Sequence, residues 1–144
     1  MNLYVWNIDM FETKIAIIVR EDLLSWQKLN VTAFLSGGLV GQNPDLVGER
    51  YQDGSGHSYS SLIIQPIIVL TTDANGMAKI HNRALGRMVD MGIYVEEMFA
   101  TGHDAANRAT IQDCATEDLK LVGIALRADK KVVDKITKGA KMHP

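Results

Sequence analysis

The chain has 144 residues, 47% of them hydrophobic and 22% charged, a globular composition that excludes disordered, collagen-like and low-complexity classes. Its formal net charge of −2 gives no global field to attract a polyanion, and its one cysteine, Cys114, has no internal disulfide partner, which suits a reducing cytoplasm. No apolar run approaches the ~20 residues of a membrane span, and residues 1–12 lack the pattern of a secretory signal. The expectation is a cytoplasmic chain without membrane contact. It is read as one domain over 1–144, with an N-terminal extension at 1–12 and the fold proper over 13–142.

Lys14 to Val19 is a short β-branched run bounded by charge and predicts a strand buried on both faces. Ser25 is placed to cap a helix running to about Val40, with Leu24 and Leu29 as a hydrophobic staple and Gly41 as the stop. Thr32, Ala33, Ser36, Gly37 and Gly38 make that helix small-sided. Two interior glycines cost about 1 kcal/mol each relative to alanine, so another backbone is expected close by. Residues 42–61 are polar and glycine-containing and read as a long surface loop with a short helix near Pro44 to Gly48.

Pro66 to Leu70 is the second predicted strand. Thr72 or Asp73 then caps a helix whose inner stripe is Met77, Ile80, Ala84 and Met88, with Gly92 as its end. Ile93 to Phe99 is the third strand, and a short helix from about Ala105 to Gln112 is capped by Asp104. Leu119 to Leu126 is the fourth strand. Asp129 caps a last helix that turns Val132, Val133 and Ile136 inward and stops at Gly139. The order β-α-β-α-β-β-α predicts an α/β fold, a four-stranded mixed sheet flanked by helices on both faces. Strands three and four are either antiparallel neighbours or a split pair.

Charge is unevenly spread. From Arg127 onward there are six Lys or Arg against Asp129 and Asp134. Without interleaved aromatics this reads as the solvated face of a last helix, not as a nucleic-acid stripe.

Catalytic signatures are missing. Ser36-Gly37-Gly38 lies inside a helical pattern, not in a strand-to-helix turn, so it makes no phosphate loop. His57, His81, His103 and His143 lack metal-ligand spacing, so no metal or cofactor is expected. Cys114 reads as a bystander thiol. Glu96 and Glu97, adjacent on a strand, point to opposite faces and make no carboxylate pair. Lys28 and Thr32 stand one helical turn apart beside the C-terminal ends of strands, where they are placed to hold a phosphate or carboxylate.

The stretch Lys14-Ile-Ala-Ile-Ile-Val-Arg-Glu-Asp-Leu23, with Lys28 and the small-sided helix after it, resembles the opening of type-2 peptidyl-tRNA hydrolases. Gln65-Pro66, Asp73 and Met91-Gly92-Ile93 are similar to that family's middle. Leu121-Val122-Gly123-Ile124-Ala125-Leu126 and Val133-Asp134-Lys135-Ile136-Thr137-Lys138-Gly139 are similar to its final strand and helix. The resemblance implies a four-stranded mixed sheet, a homodimer, and hydrolysis of the ester joining peptide to tRNA. In that family the first helix carries a Lys, a Gln and a His. Here Lys28 matches the first, while Thr32 and Leu35 stand at the other two. Ala100-Thr101-Gly102-His103-Asp104 occupies the place of the family's Asp-Ala-Gly-Arg-Thr. The whole chain resembles more closely a bacterial branch of the superfamily known as a domain of unknown function.

The reading is therefore a hydrolase-like fold with a cleft for a small or phosphate- or carboxylate-bearing ligand, rimmed by Lys28, Thr32, His103 and Asp104. The cleft is expected between the start of the first helix and the loop after Phe99. The alternatives are an active peptidyl-tRNA hydrolase, in which Asp104 or His103 replaces the lost groups, and a non-catalytic dimeric interaction domain.

Overall fold

A computed structural model of the chain describes residues 10–144. The extension predicted at 1–12 lies almost wholly outside them. Strand β1 (Thr13–Arg20) holds Ile15, Ala16, Ile17, Ile18 and Val19 with no solvent exposure, as its apolar run requires. Helix α1 (Ser25–Gln42) follows, then a hairpin of β2 (Tyr51–Gln52) and β3 (Ser58–Tyr59), strand β4 (Ile67–Thr72) and helix α2 (Ala74–Gly86). Strand β5 (Met91–Val95), helix α3 (Asp104–Gln112), strand β6 (Leu121–Asp129), helix α4 (Lys130–Ile136) and strand β7 (Lys141–Met142) complete the order.

The main sheet is mixed, with strand order β5-β6-β1-β4-β7. β1 and β4 are parallel, joined by the α1 crossover, while β6 is antiparallel to β1 and β5 to β6. Alternate residues feed two cores. Ile17, Val19, Val122 and Ala125 pack under Val31 and Leu35 of α1. Ala16, Ile18, Ile124 and Leu126 pack under Met77, Ile80 and Ala84 of α2 and Val133 and Ile136 of α4. Gly123 sets the approach of α1: a Cβ there would lie 2.3 Å from Val31 Cγ1 and 2.9 Å from Leu35 Cδ1.

The α/β class and the helices on both faces are as expected, and strands three and four are antiparallel neighbours. The sheet has five strands, not four. Lys141 and Met142 pair with Thr71 and Leu70, a strand too short to carry a periodic pattern. Two predicted boundaries shift for one reason, that a glycine marked an end it does not make. α2 stops at Gly86, and Gly92 lies inside β5, opposite Ala125. Likewise α1 runs past Gly41 to Gln42. Ser25 is its first helical residue instead of its cap, and Gln27 Oε1 accepts from the Leu24 amide at 2.9 Å.

The third strand ends at Val95. Glu96–Ala100 forms a 3-10 turn, so Glu96 and Glu97 are not strand neighbours, and each pairs with its own cation, Arg20 and Lys120. Met88 is 92% exposed at φ 54°, not part of the inner stripe. His103, not Asp104, caps α3, its Nδ1 accepting from the Ala106 amide at 3.2 Å. Asp73 and Asp129 do cap α2 and α4.

The backbone expected beside the α1 glycines is not supplied by the described residues. A Cβ built on Gly37, Gly38 or Gly41 would meet nothing within 4 Å. Residues 42–61 hold the short helix expected there, a 3-10 turn at Pro44–Leu46, and then the unpredicted hairpin, in which residues 51–60 are all exposed.

Candidate functional site

The first turn of α1 lies against the turn that leaves β5. Trp26 and Phe99 meet edge to face with centroids 5.7 Å apart, Phe99 touches Tyr94 at 5.2 Å, and Tyr94 touches Phe34 at 6.0 Å. This aromatic row runs down α1 from its start to its middle. Above it, Arg20 bonds Asp22 at 2.6 Å and Glu96 at 2.7 Å. Burial opposes the Arg20 charge, but those two carboxylates outweigh it and raise its pKa. The hydrogen bond from Arg20 in turn holds Asp22 below the usual carboxylate range, with Lys28 adding to the effect from nearby.

The concavity opens below that point. A cavity of about 830 Å³ lies between the C-terminal half of α1 and α3, with β5 at its floor, a size typical of small-molecule sites. Phe34, Leu39, Tyr94, Met98 and Ile111 give it apolar walls, and Asp90, Asp104, Asn107, Arg108 and Arg127 a polar rim. Gly38 is also part of the lining, and a Cβ there would meet no described atom within 4 Å.

Two arginines differ sharply in availability. Arg127 is already engaged: its Nη1 and Nη2 donate to Asp45 at 3.2 and 3.0 Å, and Nη1 also to Asn43 at 3.1 Å. Its Nε is buried without an acceptor among the described residues. Arg108, with a side chain 78% exposed, is held among the described residues only by Asp104, at 2.8 Å. An exposed pair of this kind contributes little stability, so Asp104 holds Arg108 only weakly.

Of the four residues proposed from sequence, Asp104 lines this cavity and Lys28, Thr32 and His103 do not. The Thr32 hydroxyl donates to the Lys28 carbonyl at 2.7 Å. His103 is occupied as a helix cap. Leu35, read from the resemblance as standing where a His was expected, is 6% exposed and packs in the core under α1. Sequence reasoning missed Asn107, Arg108 and Ile111. Their spacing on a short helix was the one available signal, and it does not say which side of the sheet that helix lies on.

A family model described as "Protein of unknown function (DUF2000)" matches residues 13–144. A solved protein of unknown function from Agrobacterium tumefaciens strain C58 is 57% identical to this chain, with a TM-score of 0.92. The alignment covers 94% of this chain and all of that one (100%). No curated protein matches. The chain belongs to the DUF2000 family. A family of unknown function was anticipated from sequence; neither match supports its expected place within the peptidyl-tRNA hydrolase superfamily.

Proposed function

We propose that this protein is a binding protein whose ligand occupies the cleft between α1, β5 and α3, with an apolar body and a carboxylate or phosphate. The observation that carries this is a cavity of about 830 Å³ with apolar walls and a loosely held arginine at its rim. The apolar body lies against Phe34, Leu39, Tyr94 and Ile111. Arg108 takes the anion as Asp104 is displaced, a charge-assisted contact of the stronger kind. Lys28, Thr32 and His103 lie off this lining, so the reading assigns the ligand's anion to Arg108, with Asp104 as the partner it leaves.

The test is a thermal-shift screen of small carboxylates and organic phosphates against the wild type and Gly38→Leu. A Cβ at Gly38 meets no described atom within 4 Å, so the leucine extends without a clash at its root from a residue that lines the cavity. A ligand that binds the folded state raises its melting temperature by mass action. The expected result is a rise in the wild type that Gly38→Leu abolishes while remaining folded. Equal rises in both proteins would remove the cleft from the account.

A second reading, a dimeric interaction domain, is favoured by the outer face of α1. Trp26, Leu29 and Phe34 are 55%, 72% and 60% exposed, and Ala33, Gly37 and Gly41 continue the face without a charge. A helix apolar on its outer side as well as its inner one is normally buried on both. The partner proposed is a second copy of the chain, since small residues at this spacing let two like helices approach closely.

A further inference from the structure

The charges around the cleft do not cancel. Of its lining residues, Arg108 is matched by Asp104 at 2.8 Å, and Arg127 by Asp45 at 3.0 Å from outside the lining. Asp90 also lines the cleft, is exposed, and stands outside every ion pair among the described residues. It precedes Met91, which pairs with Leu126, so it lies at the Arg127 end of the cleft. Arg127 is nonetheless given over to Asp45 and Asn43. With Asp45 counted beside Arg127, three carboxylates meet two guanidiniums, and one negative charge is left in excess.

A ligand that is only an anion worsens that balance. When Arg108 turns to the ligand, Asp104 loses its partner, and two carboxylates then stand unmatched in a cleft that already holds a third negative group. Like charges repel more strongly where a ligand has displaced water than they do in bulk solvent. A carboxylate covered without a partner is costly as well. A ligand that also brings a cation removes the conflict: its ammonium answers Asp90 while its anion is held by Arg108.

Resting on the reading that this cleft is a ligand site, we propose that its ligand is a small zwitterion, an amino acid in the broad sense, with its ammonium on Asp90 and its carboxylate on Arg108. The hydrocarbon body lies against the apolar walls at Phe34, Leu39, Tyr94 and Ile111. An ammonium on a carboxylate makes hydrogen bonds of the charge-assisted kind. Asp90 is then the residue that sets specificity. It favours an amino acid and, by repulsion, disfavours a plain carboxylate of the same shape.

The test is isothermal titration calorimetry with phenylalanine, phenylpropanoate and phenylethylamine, which share one apolar body and differ in the charges they carry. Aminocaproate, caproate and pentylamine form a second such set, with the two charges further apart. In at least one set the zwitterion binds at least about fivefold tighter than either singly charged analogue, a factor that about 1 kcal/mol supplies. Asp90→Asn brings the zwitterion down to the affinity of the plain carboxylate. Binding of that carboxylate holds or tightens in the variant, which shows that its cleft is intact. Zwitterions no tighter than the plain carboxylates, or bound equally by wild type and Asp90→Asn, overturn the ammonium site and leave the anion cleft standing. So does a failure of both zwitterions alongside binding of another small carboxylate or phosphate that Gly38→Leu abolishes. Zwitterion binding undiminished in Gly38→Leu overturns the cleft as well.

Discussion

Glycines in this chain do opposite work at different positions. At Gly123 the missing side chain lets α1 seat Val31 and Leu35 on β6. Gly123→Ala forces those contacts apart, with an expected loss of about 1–3 kcal/mol in chemical denaturation. A Cβ at Gly38 meets none of the described residues within 4 Å, and Gly38→Leu gains up to about 1 kcal/mol of helix propensity, so its denaturation midpoint holds or rises. The sequence marks both as glycines and cannot tell them apart, because the difference lies in what crosses above each. His81 is a second residue whose role is set by burial. It is 6% exposed, and burial holds its imidazole below the usual 6.5. The unfolded chain takes up that proton first as pH falls. Stability from neutral His81 is therefore complete above pH 6.5 and is lost as pH falls through the lower folded value. Denaturation midpoints measured between pH 7.5 and 5 (roughly the span of a histidine titration) fall for the wild type and flatten in His81→Phe.

Elements with strong periodicity were legible, and those defined by a few residues were not. The buried run of β1 and the stripe Met77, Ile80 and Ala84 announce a strand and a helix without help from tertiary context. The β2–β3 hairpin carries no such pattern. It is organised by Asp53, whose carboxylate accepts from the Ser55 and His57 amides and, at 2.7 Å, from the Tyr59 hydroxyl. Those bonds, the Tyr59 hydroxyl foremost, hold the Asp53 carboxyl below its usual range. Because residues 51–60 are all exposed, the hairpin is a local unit that opens without unfolding the sheet. Asp53→Ala should abolish amide protection across residues 51–59 in hydrogen exchange while shifting global stability by no more than about 0.5 kcal/mol. The same short-range blindness hid β7 and the 3-10 turn after β5, where two to five residues decide the geometry.

At the scale of the molecule, one apolar face stays exposed among the described residues, the outside of α1. Helix count and apolar order gave the α/β class, but nothing in a one-dimensional pattern says which side of the sheet α3 takes. The sequence therefore placed the cleft at the start of α1, near Lys28, whereas the cavity lies toward the end of α1. No helix among the described residues is long and apolar enough to cross a membrane. Sedimentation equilibrium should give a dimer for the wild type and a monomer for Leu29→Glu, with both folded by circular dichroism. A wild-type monomer would remove the second copy from the account.

The cleft itself is tested most directly by a 15N–1H chemical-shift titration with whichever compound raises the melting temperature most. Saturating shifts confined to Gly38, Gly92, Tyr94, Asn107 and Arg108 are expected. Shifts gathered instead around Lys28 and Thr32, or over α2 and α4, would contradict it.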